Sequence, residues 1–491
     1  MIKQLMKDTV VYGSSAMING ALQLLAFAIL AQEMSQGEYG TLDFIILTVS
    51  TISILGNADI SQAVTRFSTL EHDESVKNKI FATGLLVSVI GYGMIIVAAV
   101  LLKQSLSETF NNGRVINPSV VVLCSLAIAA NGLYLFTVNQ LRFELKSKHY
   151  ALATFTASVS IPVGVLIAKF QNVSLSNVLI ILIISYSSGT LISLKYLVRR
   201  VTSGISLKLL LPLLRYSSPF IFVGLAASAN AYIDRFFVNR YLGMEDVSIY
   251  AVSYRVAAIT LLLLAGFQGS ITPAILNNVS SIKIESVISE SFRIFYIVAS
   301  AFVIGVGVLS GILIPVVFGR SYQESAAYVA PLSISLLVAG AYIFFPGEII
   351  KAKSMSYLKS SVYGAVVNIL LNLIFVPKYG IGGAVTATTC GSLVSLGYIY
   401  HRSQKSFHII HNWKRYVAAT AYQILIFVLL FQGNHEGLDL LIRRTLLVLL
   451  IVPVLFLSRV LTRKDMVWVY EIIKTSWLKV KKSKVSQSRF E

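Results

Sequence analysis

The chain has 491 residues, of which 56% are apolar and only 13% are Asp, Glu, Lys or Arg, against roughly 25% charged residues in a soluble domain. That balance excludes a soluble enzyme and indicates an all-α, polytopic membrane protein. The formal charge of +19 does not indicate nucleic acid, because the basic residues are spread over short connections instead of gathering on one face.

In chain order, apolar stretches of about 20 residues, long enough to cross the hydrocarbon at 1.5 Å per residue, recur from end to end. Fourteen transmembrane helices are predicted, centred near Leu22, Thr51, Ile90, Ala127, Pro162, Ser187, Ala229, Leu262, Ile304, Leu337, Asn368, Leu393, Ile426 and Leu450. The first, Val10 to Ala31, is too long for a signal-peptide core and has no small-residue cleavage site, so it is expected to remain. Most of the 41 Lys and Arg fall on connections that share a side with the N-terminus. By the positive-inside rule this puts both termini in the cytoplasm, with the cytoplasmic (inner) membrane as the expected location.

A weak internal repeat supports two halves of like orientation. Tyr12-Gly13-Ser14 opens the first span and Tyr216-Ser217-Ser218 the seventh; Met34 to Tyr39-Gly40 opens the second and Leu242 to Tyr250-Ala251 the eighth. The expected organisation is a six-helix lobe at 1–205, a second at 206–415, two additional transmembrane helices at 416–461 and a basic cytoplasmic tail at 462–491. Parallel repeats of this kind place a substrate site between the lobes. In the tail, Met466, Val469, Ile473, Trp477 and Val480 recur at helical spacing, which fits either a helix lying on an anionic leaflet or a solvated basic tail with no role beyond orientation.

The charges inside the spans carry the functional reading. An ionised residue at the bilayer centre costs roughly 3 kcal/mol on insertion scales and therefore faces a bundle interior or a watery chamber. Arg255 lies inside the eighth span. On the seventh, Ser228, Tyr232, Arg235 and Asn239 form one stripe, with Asp234 about 100° round the helix. On the first, Tyr12, Asn19 and Gln23 form another. The second span holds Asp43, and no Lys or Arg occurs between Lys7 and Arg66. The first lobe thus offers acid and amide groups and the second offers guanidiniums. The candidate substrate-binding residues are Arg255, Arg235, Asp234, Tyr232, Asn239, Gln23 and Asn19, which suit an anion; Asp43 is the candidate ion-coupling residue. Interhelical hydrogen bonding is the competing reading for the amides and Ser228, and a mutual ion pair is the competing reading for Asp234 and Arg235.

Asn368 and Asn372, one turn apart, precede Pro377 and the turn Lys378 to Ala384, whose glycines are expected to serve a tight reversal and close helix packing. His401, His408 and His411 lack the carboxylate or Cys that would complete a metal set. Cys124 and Cys390 both lie in apolar runs and have no metal-ligand spacing. No loop is long enough for a catalytic domain, so the expectation is a transporter and not an enzyme, with no catalytic residue, metal or cofactor.

Taken together, Tyr39-Gly40, Arg66, Asp234-Arg235, Leu242-Gly243, Tyr250-Ala251, Pro273 and the stretch Asn368 to Ala384 resemble the polysaccharide repeat-unit flippases (Wzx-type) of the multidrug/oligosaccharidyl-lipid/polysaccharide (MOP) exporter superfamily. The resemblance covers spans one to twelve. It implies two six-helix lobes in a MOP/MATE-like arrangement and transport of a polyprenyl-pyrophosphate-linked oligosaccharide between leaflets for surface polysaccharide assembly. Membrane lipids, a polysaccharide polymerase and glycosyltransferases are the implied partners, and a proton, a sodium ion or the membrane potential the implied drive. Two alternatives within the superfamily are a cation-coupled multidrug antiporter, which calls for an acidic, aromatic chamber, and a murein lipid-precursor flippase. Relatives of the latter kind tend to carry arginines in their first spans, which this chain lacks.

Overall fold

The computed structural model describes residues 2–109, 117–202, 204–277, 284–350 and 355–431, with a few positions between 446 and 461. The expected tail, 462–491, and most of the expected fourteenth span lie outside the described residues. The chain is a polytopic all-α membrane protein. Ten stretches of the described chain are long and apolar enough to cross a bilayer, and no strand occurs among the described residues.

In order, the helices are α1 (Ile2–Glu33), α2 (Gln36–Gly56), α3 (Ile60–Leu70), α4 (Glu74–Leu101), α5 (Lys103–Thr109), α6 (Pro118–Phe143), α7 (Ser147–Lys169), α8 (Leu175–Val201), α9 (Leu207–Tyr241), α10 (Met244–Ala257), α11 (Thr260–Asn277), α12 (Ile284–Val317), α13 (Ala326–Gly340), α14 (Gly347–Ile350), α15 (Met355–Ser406) and α16 (Trp413–Phe431). Two predicted spans are broken in mid-course. The second is divided into α2 and α3 at Asn57–Asp59, and the eighth into α10 and α11 at Ala258–Ile259. The eleventh and twelfth run on as α15, which reverses at Gly380, where φ is 59° and ψ is −139°, a conformation that glycine adopts without a Cβ penalty. The reversal expected from the glycine-rich turn is therefore present.

Helix starts follow local chemistry. Ser35 and Glu38 form a capping box at α2, Asp73 accepts from the backbone of Ser75 at α4, Asn117 caps α6 with Pro118 in its first turn, and Ser174 caps α8. Each satisfies an amide that the helix itself leaves unpaired.

Successive crossings alternate in direction, so the face bearing the N-terminus and the opposite, distal face can be followed by their ion pairs. Glu33 meets Lys169 on the distal face. Glu144 binds Lys146 and Arg200 on the near face. The first half is knitted by α1 on α7 and by α8 on α6 and α7; the second by α15 on α9 and α13, with α12 on α13. Across the halves, α2 packs on α10 and on the distal part of α9. The largest apolar cluster lies at this distal junction, joining Leu30, Tyr39 and Leu42 to Val238, Tyr250 and Tyr322.

Candidate functional site

The distal junction is where the intramembrane charges meet. Tyr39 and Asp43 are four residues apart and so share one face of α2, the face turned to α9 and α10. Asp43 Oδ2 accepts from Nε of Arg235 at 2.7 Å, and Asp43 Oδ1 lies 2.7 Å from Nη2 of Arg255. One carboxylate of the first half therefore bridges two guanidiniums of the second. Nη1 of Arg255 also donates to the Tyr39 hydroxyl at 2.6 Å. The guanidiniums are packed on rings: Arg255 lies 3.8 Å from the Phe27 centroid, and Arg235 lies 5.2 and 4.7 Å from those of Tyr250 and Tyr254. Such ring faces favour a desolvated cation.

The two arginines differ in access. The side chain of Arg235 is 3% exposed and that of Arg255 14%. Arg235 is sealed into the junction, whereas Arg255 keeps an open edge. The geometry thus separates two residues that the sequence placed in one class.

Asp234 faces away from both. Its Oδ1 accepts from Nδ2 of Asn368 at 2.9 Å and of Asn372 at 3.0 Å. Its Oδ2 accepts from the hydroxyls of Thr388 at 2.6 Å and Tyr250 at 2.8 Å. The reversal of α15 at Gly380 brings Asn368, Asn372 and Thr388 to one side of α9. Asp234 is 2% exposed, and all four of these donors are neutral, which leaves its charge solvated by dipoles alone. Buried charges are ordinarily paired or bind a metal. Oδ1 of Asn372 has no hydrogen-bond partner in this cage. Carboxylate, amide and hydroxyl oxygens are the donor set of a hard cation, and a turn of the amides would aim three kinds of oxygen at one point. The candidate coupling residue Asp43 is engaged by two guanidiniums.

Charge accounting ties these groups together. Asp43 with Arg235 and Arg255 carries one positive charge, and the Asp234 carboxylate, bound by the Tyr250 hydroxyl, offsets it.

The remaining candidates are spread around this centre. Tyr232 is half-buried on α9, its ring 4.9 Å from that of Phe44. Asn239, also half-buried, lies one turn beyond Arg235 toward the distal end. On α1, Gln23 is exposed and Asn19 half-buried, with Oδ1 of Asn19 lacking a partner. Tyr12 leaves the group: its hydroxyl reaches the Arg142 carbonyl at the near face and its ring meets Tyr150 edge-on. Sequence reasoning read Asn368 and Asn372 through the turn that follows them and did not single out Thr388. The missed signal was a pair of amides one turn apart in an apolar span, a pattern that needs a polar partner in hydrocarbon.

The distal junction is completed by main-chain contacts. Gln32 donates to the Val317 carbonyl and Gln36 to the Ser321 carbonyl, both at 2.7 Å. The close of α1 and the start of α2 are thereby tied to the distal end of α12 and the turn that follows it.

Comparisons with known proteins agree with this architecture. A "Probable low-salt glycan biosynthesis flippase Agl15" of Haloferax volcanii is 23% identical over 388 residues, 76% of this chain and 78% of that protein. Among solved structures, the lipid II flippase MurJ in an inward closed conformation superposes with a TM-score of 0.68 at 14% identity, covering 92% of this chain and all of that one. An inward-facing multidrug resistance MATE family transporter of the MOP superfamily superposes with a TM-score of 0.64 at 14% identity, covering 81% and 97%. The sequence pattern of the family described as "Polysaccharide biosynthesis protein" matches residues 5–279, more than half of the chain, and the chain belongs to that family.

Proposed function

We propose that the chain is a flippase that moves polyprenyl-pyrophosphate-linked oligosaccharide repeat units across the cytoplasmic membrane by alternating access, for surface polysaccharide assembly. The observation that carries this reading is the partly open Arg255, held between the halves by Asp43 and Tyr39. A guanidinium so placed binds a phosphate oxygen through charge-assisted hydrogen bonds, while the lipid tail stays in the bilayer. The relative in Haloferax volcanii, itself described as a probable glycan biosynthesis flippase, supports the substrate class. The bias of Lys and Arg supports the inner membrane with both termini cytoplasmic; the distal junction is then the outer gate and is closed. Lipid-linked glycan would come from glycosyltransferases and pass to a polymerase.

Coupling is assigned to Asp234 in place of Asp43. A proton or a sodium ion in the cage with Asn368, Asn372 and Thr388 neutralises Asp234, leaving the net positive charge at Arg255 that an anionic headgroup requires. The membrane potential would act on the same charge.

The test is complementation of a flippase-deficient host of the same glycan pathway. Arg255→Ala is expected to abolish surface polymer at normal membrane abundance, and Arg255→Lys to restore part of it. Wild-type polymer from Arg255→Ala would remove this residue from the site and, with it, the anion reading. Growth in toxic organic cations, compared with and without the chain, tests the drug-antiporter alternative.

A further inference from the structure

The second span is held on both sides of its break. On the distal side, α2 packs on α10 and α9 of the second half and also on α6 of the first. On the near side, α3 packs on α4 and α9, and Ile60, Ala63 and Val64 are fully buried with Phe81 of α4. The near end of α9 is fastened to the same body. Leu213 is buried in that cluster, Phe67 meets Tyr216 edge-on at 5.9 Å, and the backbone N–H of Ser206 donates to Thr83 Oγ1 at 3.1 Å.

The break is built into the packing. Ala58 and Asp59 are consecutive non-glycine residues with φ of 49° and 46°, in the left-handed region that L side chains seldom adopt and that persists where surroundings enforce it. Asn57 Oδ1 accepts from the Asp59 amide at 2.9 Å. A break also frees a carbonyl of the preceding turn, and the Ser53 carbonyl accepts instead from the Tyr92 hydroxyl at 2.8 Å. Tyr92 is 1% exposed and is inserted where α6 has Gly132, at which any Cβ would overlap the Tyr92 hydroxyl. A side chain of the third span thus replaces the helical bond that the bend removes.

We propose that Asn57–Asp59 is a pivot within the second span: when the halves part at the distal face, α2 swings about it while α3 stays docked on α4 and on the near end of α9. A 15° swing of a 21-residue helix, about 31 Å long, would carry its far end by about 8 Å.

The inference needs no substrate and is tested by pulsed electron spin resonance on the full chain in lipid nanodiscs, with Cys124→Ser and Cys390→Ser as background. Gly40→Val is used to part the distal junction, because a Cβ at Gly40 overlaps the Met244 carbonyl. Label pairs are Glu38→Cys with Thr69→Cys across the break, Thr69→Cys with Lys208→Cys on the near body, and Glu38→Cys with Arg240→Cys across the junction. With Gly40→Val the first distance is expected to shift by several ångströms and the second to hold. An unchanged first distance beside a changed third would show that the span moves as one rod and overturn the proposal; so would a changed second distance. If the third distance does not move, Asp43→Asn replaces Gly40→Val and the same readings decide; a third distance unmoved in both variants would show that the halves do not part at the distal face and would also overturn the proposal. Tyr92→Phe, which leaves the Ser53 carbonyl without its donor, is expected to broaden the first distance distribution even with the junction closed; an unaltered distribution would deny the hydroxyl its part in holding the bend.

Discussion

Asp43 Oδ1 lies 2.7 Å from Nη2 of Arg255, joining the second span to the eighth across the boundary between the halves. The contact explains how a chain this apolar holds intramembrane arginines: the acid of one half is the counterion of the other. Its removal leaves two guanidiniums without their carboxylate. Truncating one partner of a buried pair costs about 3–5 kcal/mol, so Asp43→Asn is expected to lower the thermal midpoint and to loosen the distal junction. Labelling of a cysteine placed at Thr48 by a membrane-impermeant reagent from the distal side should rise in the variant, and Asp43→Glu should reverse much of the effect. Labelling equal to that of the parent would show that the ion pair does not hold the junction shut.

A second prediction concerns shape. Gly40 faces the start of α10 so closely that a methyl group there would overlap the Met244 carbonyl. Gly40→Ala should therefore weaken the distal closure without altering any charge, and transport should fall while membrane abundance is retained. Full transport by Gly40→Val would show that this close approach is dispensable.

The membrane class was legible because it depends on a feature visible along the chain, the length of its apolar runs. Arg235, Arg255 and Asp43 were legible as charges in hydrocarbon, since each needs a partner wherever it sits. Which partner each takes was not legible, because Arg235 lies 192 positions from Asp43 and Arg255 lies 216 from Tyr39, and no local pattern encodes such a distance. The breaks at Asn57–Asp59 and Ala258–Ile259 were also hidden. Neither contains Gly or Pro, and at the first the Ser53 carbonyl is taken by Tyr92 from another helix.

The cage around Asp234 yields a third prediction. Four neutral donors converge on its carboxylate, and an amide in its place cannot accept from all of them. Each buried polar group left unsatisfied costs about 1–3 kcal/mol, so Asp234→Asn should lower stability modestly. Its larger effect should be on coupling. Transport by the parent is expected to depend on a sodium or proton gradient, and the variant should lose that dependence together with most of its rate. A variant that still responds to the gradient as the parent does would place the coupling group elsewhere.

The last prediction lies outside the spans, in the connection that leads to α16. His411 is 8% exposed, with its ring 5.0 Å from Phe292, 5.3 Å from Phe345 and 5.6 Å from Trp413, and neither ring nitrogen has a hydrogen-bond partner. Burial among these rings disfavours the imidazolium and pushes its pKa from 6.5 down to about 4. In the unfolded chain the ring takes up a proton near pH 6.5, while in the folded protein it stays neutral down to about pH 4. Between those values the unfolded state binds more protons, so stability rises with pH and is lost progressively on acidification through that window. The ring cluster joins α12 and α15 to α16, so the loss should appear first as detachment of α16. His411→Phe removes the titrating group and keeps a ring of suitable size. The drop in thermal midpoint from pH 7.5 to pH 5 in detergent should therefore be smaller in the variant than in the parent. An equal drop in both would show that His411 is not the group whose protonation weakens this connection.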